Sequence, residues 1–250
     1  MGHKVFLSPS DQTANTYAAG NTNEAEQCGR IAVAAKAALE RCGFEVAVVQ
    51  YETMAGKCAK SDAFGAELHV PIHSNAFNGQ ATGTRVYYGA DGSTGHKAAK
   101  AILARLGAIT PGAPDLCKPY PELYEIRTPN APTAYIETDF HDNPQVARWI
   151  IDHAEQIGES ICAGICDYFG VAYAAEEKEG NEMRYEKLKD LKEDKYNAPY
   201  YVPTVEKLMA KGILRGKGGE GDETILDLGE DAVRLLVLLD RAGLFPAAEE

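Results

Sequence analysis

The chain has 250 residues, of which 45% are hydrophobic and 25% charged, a balance that excludes disorder as the dominant state. Its 25 Lys and Arg against 37 Asp and Glu give a net charge of −12, which argues against a nucleic-acid backbone or an anionic membrane surface as the main partner, because both demand a basic footprint. No run of about 18 apolar residues is present to span a membrane, and six cysteines are too sparse for a disulfide scaffold. At roughly 150 residues per domain, the length suits one medium domain and a small one.

The elements predicted in chain order alternate between strand and helix. Lys4 to Leu7 is a short apolar strand stopped by Ser8-Pro9-Ser10, and a polar loop follows through Asn23. Ile31, Ala34, Ala35, Ala38, Leu39 and Cys42 keep the helical period, so a helix runs from about Glu24 to Cys42, capped by Thr22 or Asn23 and ended by Gly43. Phe44 to Val49 and Leu68 to Ile72 are near-continuous apolar runs, the pattern of strands buried on both faces. Gly83 to Tyr88 alternates as a strand, Lys97 to Leu106 is helical, and Pro111 to Pro121 reads as loop. Ala134 to Ile136 is a short strand, and Ile150 to Phe169 a long amphipathic helix. Cys162 and Cys166, four apart, share one face of that helix and read as small buried hydrophobes. The expected fold is α/β, with a mostly parallel central sheet flanked by helices.

In such sheets, sites form at the carboxyl ends of the strands. Three polar stretches fall there: Ser8 to Asp11, His73-Ser74-Asn75 and Glu137 to Asp142. Taken singly, each has a bland reading. His73 could be an ordinary hydrogen-bonded histidine, Glu24 a helix-dipole partner, and Glu137 a surface carboxylate. Their joint placement at one sheet edge marks them as candidates. His69 points to the same face as His73 but lies about 13 Å along the strand, too far to share a metal, and reads as structural.

Ser8-Pro9-Ser10, Asn23-Glu24, Pro71-Ile72-His73-Ser74-Asn75-Ala76, Gly83-Thr84-Arg85-Val86-Tyr87-Tyr88 and Ile136-Glu137-Thr138-Asp139-Phe140-His141-Asp142-Asn143 follow one another in the order of a known family. Over residues 3 to 171 the chain resembles the zinc-dependent N-acetylmuramoyl-L-alanine amidases of bacterial cell-wall hydrolases and phage endolysins. The resemblance implies a peptidoglycan hydrolase that cuts the amide between the lactyl group of N-acetylmuramic acid and the L-alanine of the stem peptide. It implies one zinc, with Glu24 and His73 as ligands and Glu137 as the catalytic glutamate. Asn75 or a backbone N–H would help hold the oxyanion, and His141 would line the substrate groove. The family's first ligand is a histidine after the first strand, and Asp11 stands in its place. Three readings stay open: Asp11 ligates the metal, another residue such as His141 completes the site, or the domain binds muropeptide without cutting it.

The expected domains are a catalytic domain over 1–172, a charged linker or exposed helix over 173–197, and a small helical tail over 198–250. Val205, Leu208 and Met209, then Val233, Leu236, Val237 and Leu239, form two short helical faces. The tail resembles an S-layer-homology module, which implies attachment to the wall or assembly between chains. The rival reading is a helical hairpin that only packs on the first domain or forms a homodimer. The first ten residues carry no apolar signal segment, so the expectation is cytoplasmic synthesis followed by action on the wall after release, as in phage or prophage lysis.

Overall fold

The computed structural model of the chain describes residues 2–175, 184–195 and 197–245. The chain divides into two compact units, Met1–Glu176 and Glu177–Glu250.

The first unit is built on a six-stranded sheet. In chain order its elements are β1 (Lys4–Pro9), α1 (Glu24–Arg41), β2 (Glu45–Val48), α2 (Met54–Phe64), β3 (Leu68–Asn75), β4 (Arg85–Tyr88), α3 (Thr94–Leu106), β5 (Leu116–Pro119), α4 (Tyr124–Arg127), β6 (Tyr135–Phe140), α5 (Pro144–Asp152) and α6 (Ala154–Phe169). The strand order is β2-β1-β3-β6-β4-β5. All neighbours are parallel except β4 and β6, so the expected α/β fold with a mostly parallel sheet is the one observed.

Side-chain alternation along each strand divides the sheet into two faces. Val5 and Leu7 of β1, Val70 and Ile72 of β3 and Ile136 of β6 join the main core, which they share with α1, α3 and α6. Phe6 points the other way, stacks on His69 at 5.2 Å and lies beside Phe64 of α2. From β1 the chain crosses by α1 to β2 on one side, then returns by α2 to β3 on the other. The carboxyl ends of β1 and β3 are therefore neighbours whose following segments leave in different directions. That is a topological switch point, where α/β sheets open a crevice.

Several elements depart from the sequence reading. Residues 111–121 are not all loop, since β5 pairs in parallel with β4. It is an edge strand, mostly exposed, so its sequence carries no apolar run. The long helix read from Ile150 is two helices, α5 and α6. They break at His153, whose ring and backbone N–H both donate to the Trp149 carbonyl. Residues 54–64 form α2, which buries Lys57, Cys58 and Ser61 and so lacks an apolar stripe.

The second unit contains β7 (Arg184–Lys187), α7 (Leu188–Glu193), α8 (Ala198–Ala210), β8 (Ile225–Gly229) and α9 (Glu230–Arg241). Strands β7 and β8 pair antiparallel, so the tail is not purely helical. The stretch read as linker or exposed helix is strand and helix over 184–193. Tyr185, Leu188 and Leu191 are buried there, in one cluster with Tyr201, Val205, Leu226, Val233 and Val237. Residues 176–183 and 196 of that stretch lie outside the described residues.

Two glycines set how closely α6 approaches its neighbours. A Cβ on Gly158 would stand 2.6 Å from the Ala34 Cβ and the Ala35 backbone N of α1, and one on Gly164 would stand 2.5 Å from the Ile102 Cα of α3. Neither helix backbone can yield without moving the layer. Gly164→Ala is expected to cost about 1–3 kcal/mol of stability, as overpacking does in a filled core, read as a lower denaturation midpoint in urea.

Candidate active site

The site assembles where β1, β3 and β6 end. Glu24 opens α1 after Asn23, whose side chain caps the helix by accepting from the Glu26 N–H. His73 lies near the end of β3, and Glu137 is its register partner on β6. Adjacent parallel strands point register partners to the same face, so imidazole and carboxyl stand side by side.

The contacts are short and buried. His73 Nδ1 donates to Glu24 Oε1 at 2.8 Å. Asn15 Nδ2 donates to Glu24 Oε2 at 2.6 Å and to Gln12 Oε1 at 2.9 Å, and Gln12 Nε2 lies 3.5 Å from His73 Nδ1. The His73 ring stacks on Tyr135 at 4.8 Å. Two buried polar atoms here have no hydrogen-bond partner, His73 Nε2 and Glu137 Oε2.

Charge and burial oppose one another in this cluster. For Glu24, burial pushes the carboxyl up. Hydrogen bonding and attraction from His73, with hydrogen bonds from Asn15 and Ser10, outweigh it and hold the group below its ordinary range. For His73, burial disfavours the cation, yet the hydrogen bond to Glu24 and the nearby charges of Glu137 and Glu24 raise it. Glu137 has no such compensation. Burial pushes it up to about 7, with Glu24 adding to the rise and His73 resisting it. A carboxyl poised there can hold or release a proton near neutrality.

The other candidates are placed as follows. Asp11 is more than a third exposed, and its carboxylate lies 3.8 Å from the buried ammonium of Lys57. Lys57 Nζ also donates to the Pro9 carbonyl at 2.9 Å. Asn75 is half-buried, and its Oδ1 accepts from the Ala76 N–H. His141 is buried, stacks on Tyr17 at 4.9 Å and reaches Ser74 through Nδ1 at 2.9 Å. His69 is buried between Ser61 and Glu125. The structure thus brings together Glu24, His73 and Glu137. Among the described residues, neither Asp11 nor His141 joins them in a group of three donor atoms close enough to hold a metal.

A cavity of about 330 Å³ opens at this point, lined by Asp11, Gln12, Lys57, His73, Tyr124 and Tyr135 among others. A larger hollow of about 610 Å³ lies along α1 and α6, lined by Arg30, Arg41, Gln50, Glu155 and Glu159 among others, with no histidine in its wall. Gln12, Asn15, Lys57 and Tyr135 escaped sequence reasoning. For Tyr135 a signal existed, because it lies two residues before Glu137 and so on the same face of β6.

A three-layer α/β unit with a buried carboxylate–imidazole centre at its switch point is thus defined. Residues 2–167 match the N-acetylmuramoyl-L-alanine amidase family, and the chain belongs to it. No curated protein matches the chain. Among solved structures, the catalytic domain of CwlV, an N-acetylmuramoyl-L-alanine amidase from Bacillus (Paenibacillus) polymyxa var. colistinus, aligns with a TM-score of 0.61 at 18% identity, over 68% of this chain and 99% of that one. The N-acetylmuramoyl-L-alanine amidase from Clostridium difficile 630 aligns with a TM-score of 0.58 at 20% identity, over 68% and 97%. The catalytic domain of CD27L, an endolysin targeting Clostridium difficile, aligns with a TM-score of 0.57 at 22% identity, over 66% and 97%. At these identities the likeness is one of fold.

The donor chemistry fits a zinc centre up to its third ligand. Glu24 and His73 supply an oxygen and a nitrogen donor, and two buried carboxylates with only one imidazole between them favour a cation. The third protein donor is not at hand while Asp11 faces Lys57.

Metal-free protein carries a pH signature of this arrangement. The folded Glu137 carboxyl, at about 7, binds its proton more tightly than the unfolded one, near 4.5. Its contribution to stability is therefore full below about 4.5 and is lost as pH rises through about 7. Glu137→Gln in chelator is expected to raise the melting temperature above pH 7, with the advantage vanishing below pH 4.5; thermal melts across that range read it.

Proposed function

We propose that the first unit is a peptidoglycan hydrolase acting on the amide between N-acetylmuramic acid and the L-alanine of the stem peptide. The observation that carries this reading is the Glu137 carboxyl beside the Glu24–His73 pair, with one oxygen buried and unpartnered, next to a cavity that His73 lines. Family membership supplies the bond to be cut.

The residues divide the work. Glu137, held near neutrality by burial, takes the proton of the attacking water and passes it to the leaving amine. His73 is fixed from two sides, by the hydrogen bond to Glu24 and by the Tyr135 ring. Asn15 and Gln12 hold the Glu24 carboxylate in place. Zinc would be held by Glu24 and His73 with Asp11 as third ligand, and would supply a Lewis acid and a bound water of pKa about 7. His141, packed on Tyr17 behind Ser74, supports the end of β3 in this scheme, and Asn75 borders the groove.

Amide cleavage on purified peptidoglycan, followed as new L-alanine N-termini with added zinc and with chelator, tests the proposal. Zinc-dependent release is expected. Glu137→Gln should lower the rate by about 10²–10⁴-fold while the protein still sediments with the wall. Asp11→Ala should lower the zinc bound per chain in equilibrium dialysis.

One observation favours a second reading. The Asp11 carboxylate is engaged by Lys57 rather than turned to the Glu24–His73 pair, as suits a module that grips muropeptide without cutting it. Sedimentation with the wall, with no new N-termini under any metal, would establish that reading. For the second unit we propose wall attachment or pairing with another copy, and for the whole chain release in an endolysin-like lysis.

A further inference from the structure

A second cluster of metal-binding side chains lies at the other end of α1. Cys42 follows the last turn of that helix, about 27 Å from Glu24 at its start by the helical rise over 18 residues. Cys162 and Cys166 lie one turn apart on α6. Their sulfurs converge: Cys42 Sγ is 3.7 Å from Cys162 Sγ, which is 3.9 Å from Cys166 Sγ. All three ligand atoms lie within 4.8 Å of one another. A zinc–sulfur bond of about 2.3 Å sets sulfur–sulfur edges of about 3.8 Å in a tetrahedral site and about 4.0 Å in a trigonal one. Two of the three sulfur–sulfur edges already have the length of a metal-bound trio, and the third is within 4.8 Å.

The surroundings of the trio are polar on one side. The Ala174 N–H donates to Cys42 Sγ at 3.3 Å. The Ala174 carbonyl oxygen lies 3.8 Å from the same sulfur, within reach of a fourth coordination position. The Arg41 guanidinium donates to that carbonyl at 2.9 Å and is itself paired with the Glu159 carboxylate at 2.6 Å, which holds residue 174 against the end of α1. Cys162 and Cys166 are sealed, but Cys42 is half-buried and gives an ion a way in. A cation at a helix C-terminus also meets the negative end of the helix dipole.

We infer that Cys42, Cys162 and Cys166 form a structural site for a thiophilic d¹⁰ cation such as zinc or cadmium, separate from the Glu24–His73–Glu137 centre. Binding is a ligand exchange and not a redox step. Three sulfur–metal bonds form, three thiol protons pass to solvent, and no electrons move. The ion would tie the end of α1 to α6 and to residue 174, two residues before the first unit ends. Its role is to clamp the two helices.

The test uses the full chain, reduced and stripped of metal, titrated with cadmium. One equivalent is expected to raise a thiolate-to-metal charge-transfer band in the ultraviolet and to protect three thiols from a thiol reagent. His73→Ala, which dismantles the other candidate metal centre, should keep the band in full. Cys117→Ser, a half-buried cysteine outside the trio, should keep it as well. Cys42→Ser and Cys162→Ser should each lose it, with circular dichroism showing that both remain folded; the more exposed Cys42 keeps the test usable if Cys162→Ser does not fold. Absence of the band in the folded parent chain at stoichiometric cadmium would overturn the inference and leave the thiols as apolar filling. A Cys42–Cys162 disulfide in air-exposed protein, with no cadmium bound by the reduced form, would overturn it too.

Discussion

Two carboxylates and one imidazole share a pocket from which water is nearly excluded, and the arrangement of the first unit is what makes this bearable. Glu24 is tolerated because His73 and Asn15 both donate to it. Glu137 receives no equivalent partner and stays partly protonated near neutrality. A buried charge without a partner is costly, so the protein shifts the proton instead. That shift is also what suits a carboxyl to exchange a proton with water or an amine.

The sheet supplies the geometry. Parallel pairing of β3 with β6 makes His73 and Glu137 register neighbours, and the crossing of the chain to opposite sides of β1 opens the crevice above them. The helices contribute less chemistry and more rigidity. Close approach of α6 to α1 and α3 through Gly158 and Gly164 fixes the layer on which the first turn of α1, and hence Glu24, is mounted.

Much of this could be read from the sequence, for identifiable reasons. β1 and β3 are buried on both faces and appear as apolar runs; α1 shows its period because its alanines and leucines face one core. Glu24, His73 and Glu137 stood out because each sits where a patterned element meets a polar loop. What was missed had the opposite character. β5 is an exposed edge. α2 buries a lysine and a serine rather than a stripe of leucines. Leu188 and Leu191 are hidden among lysines and acids, although their spacing of three places both in the core of the second unit. Asp11 was located by its position along the chain. Its pairing with Lys57 was invisible, because it depends on where a helix without apolar pattern comes to rest.

That pairing has an evolutionary consequence. Lys57 is 3% exposed at its side chain and faces Asp11, so the residue at position 11 has a neighbour with a fixed charge. A histidine at position 11 would leave the ammonium without that counter-charge, and removing one partner of a buried pair costs stability. Across related chains the two positions should change together, a histidine after β1 keeping company with a neutral side chain on α2.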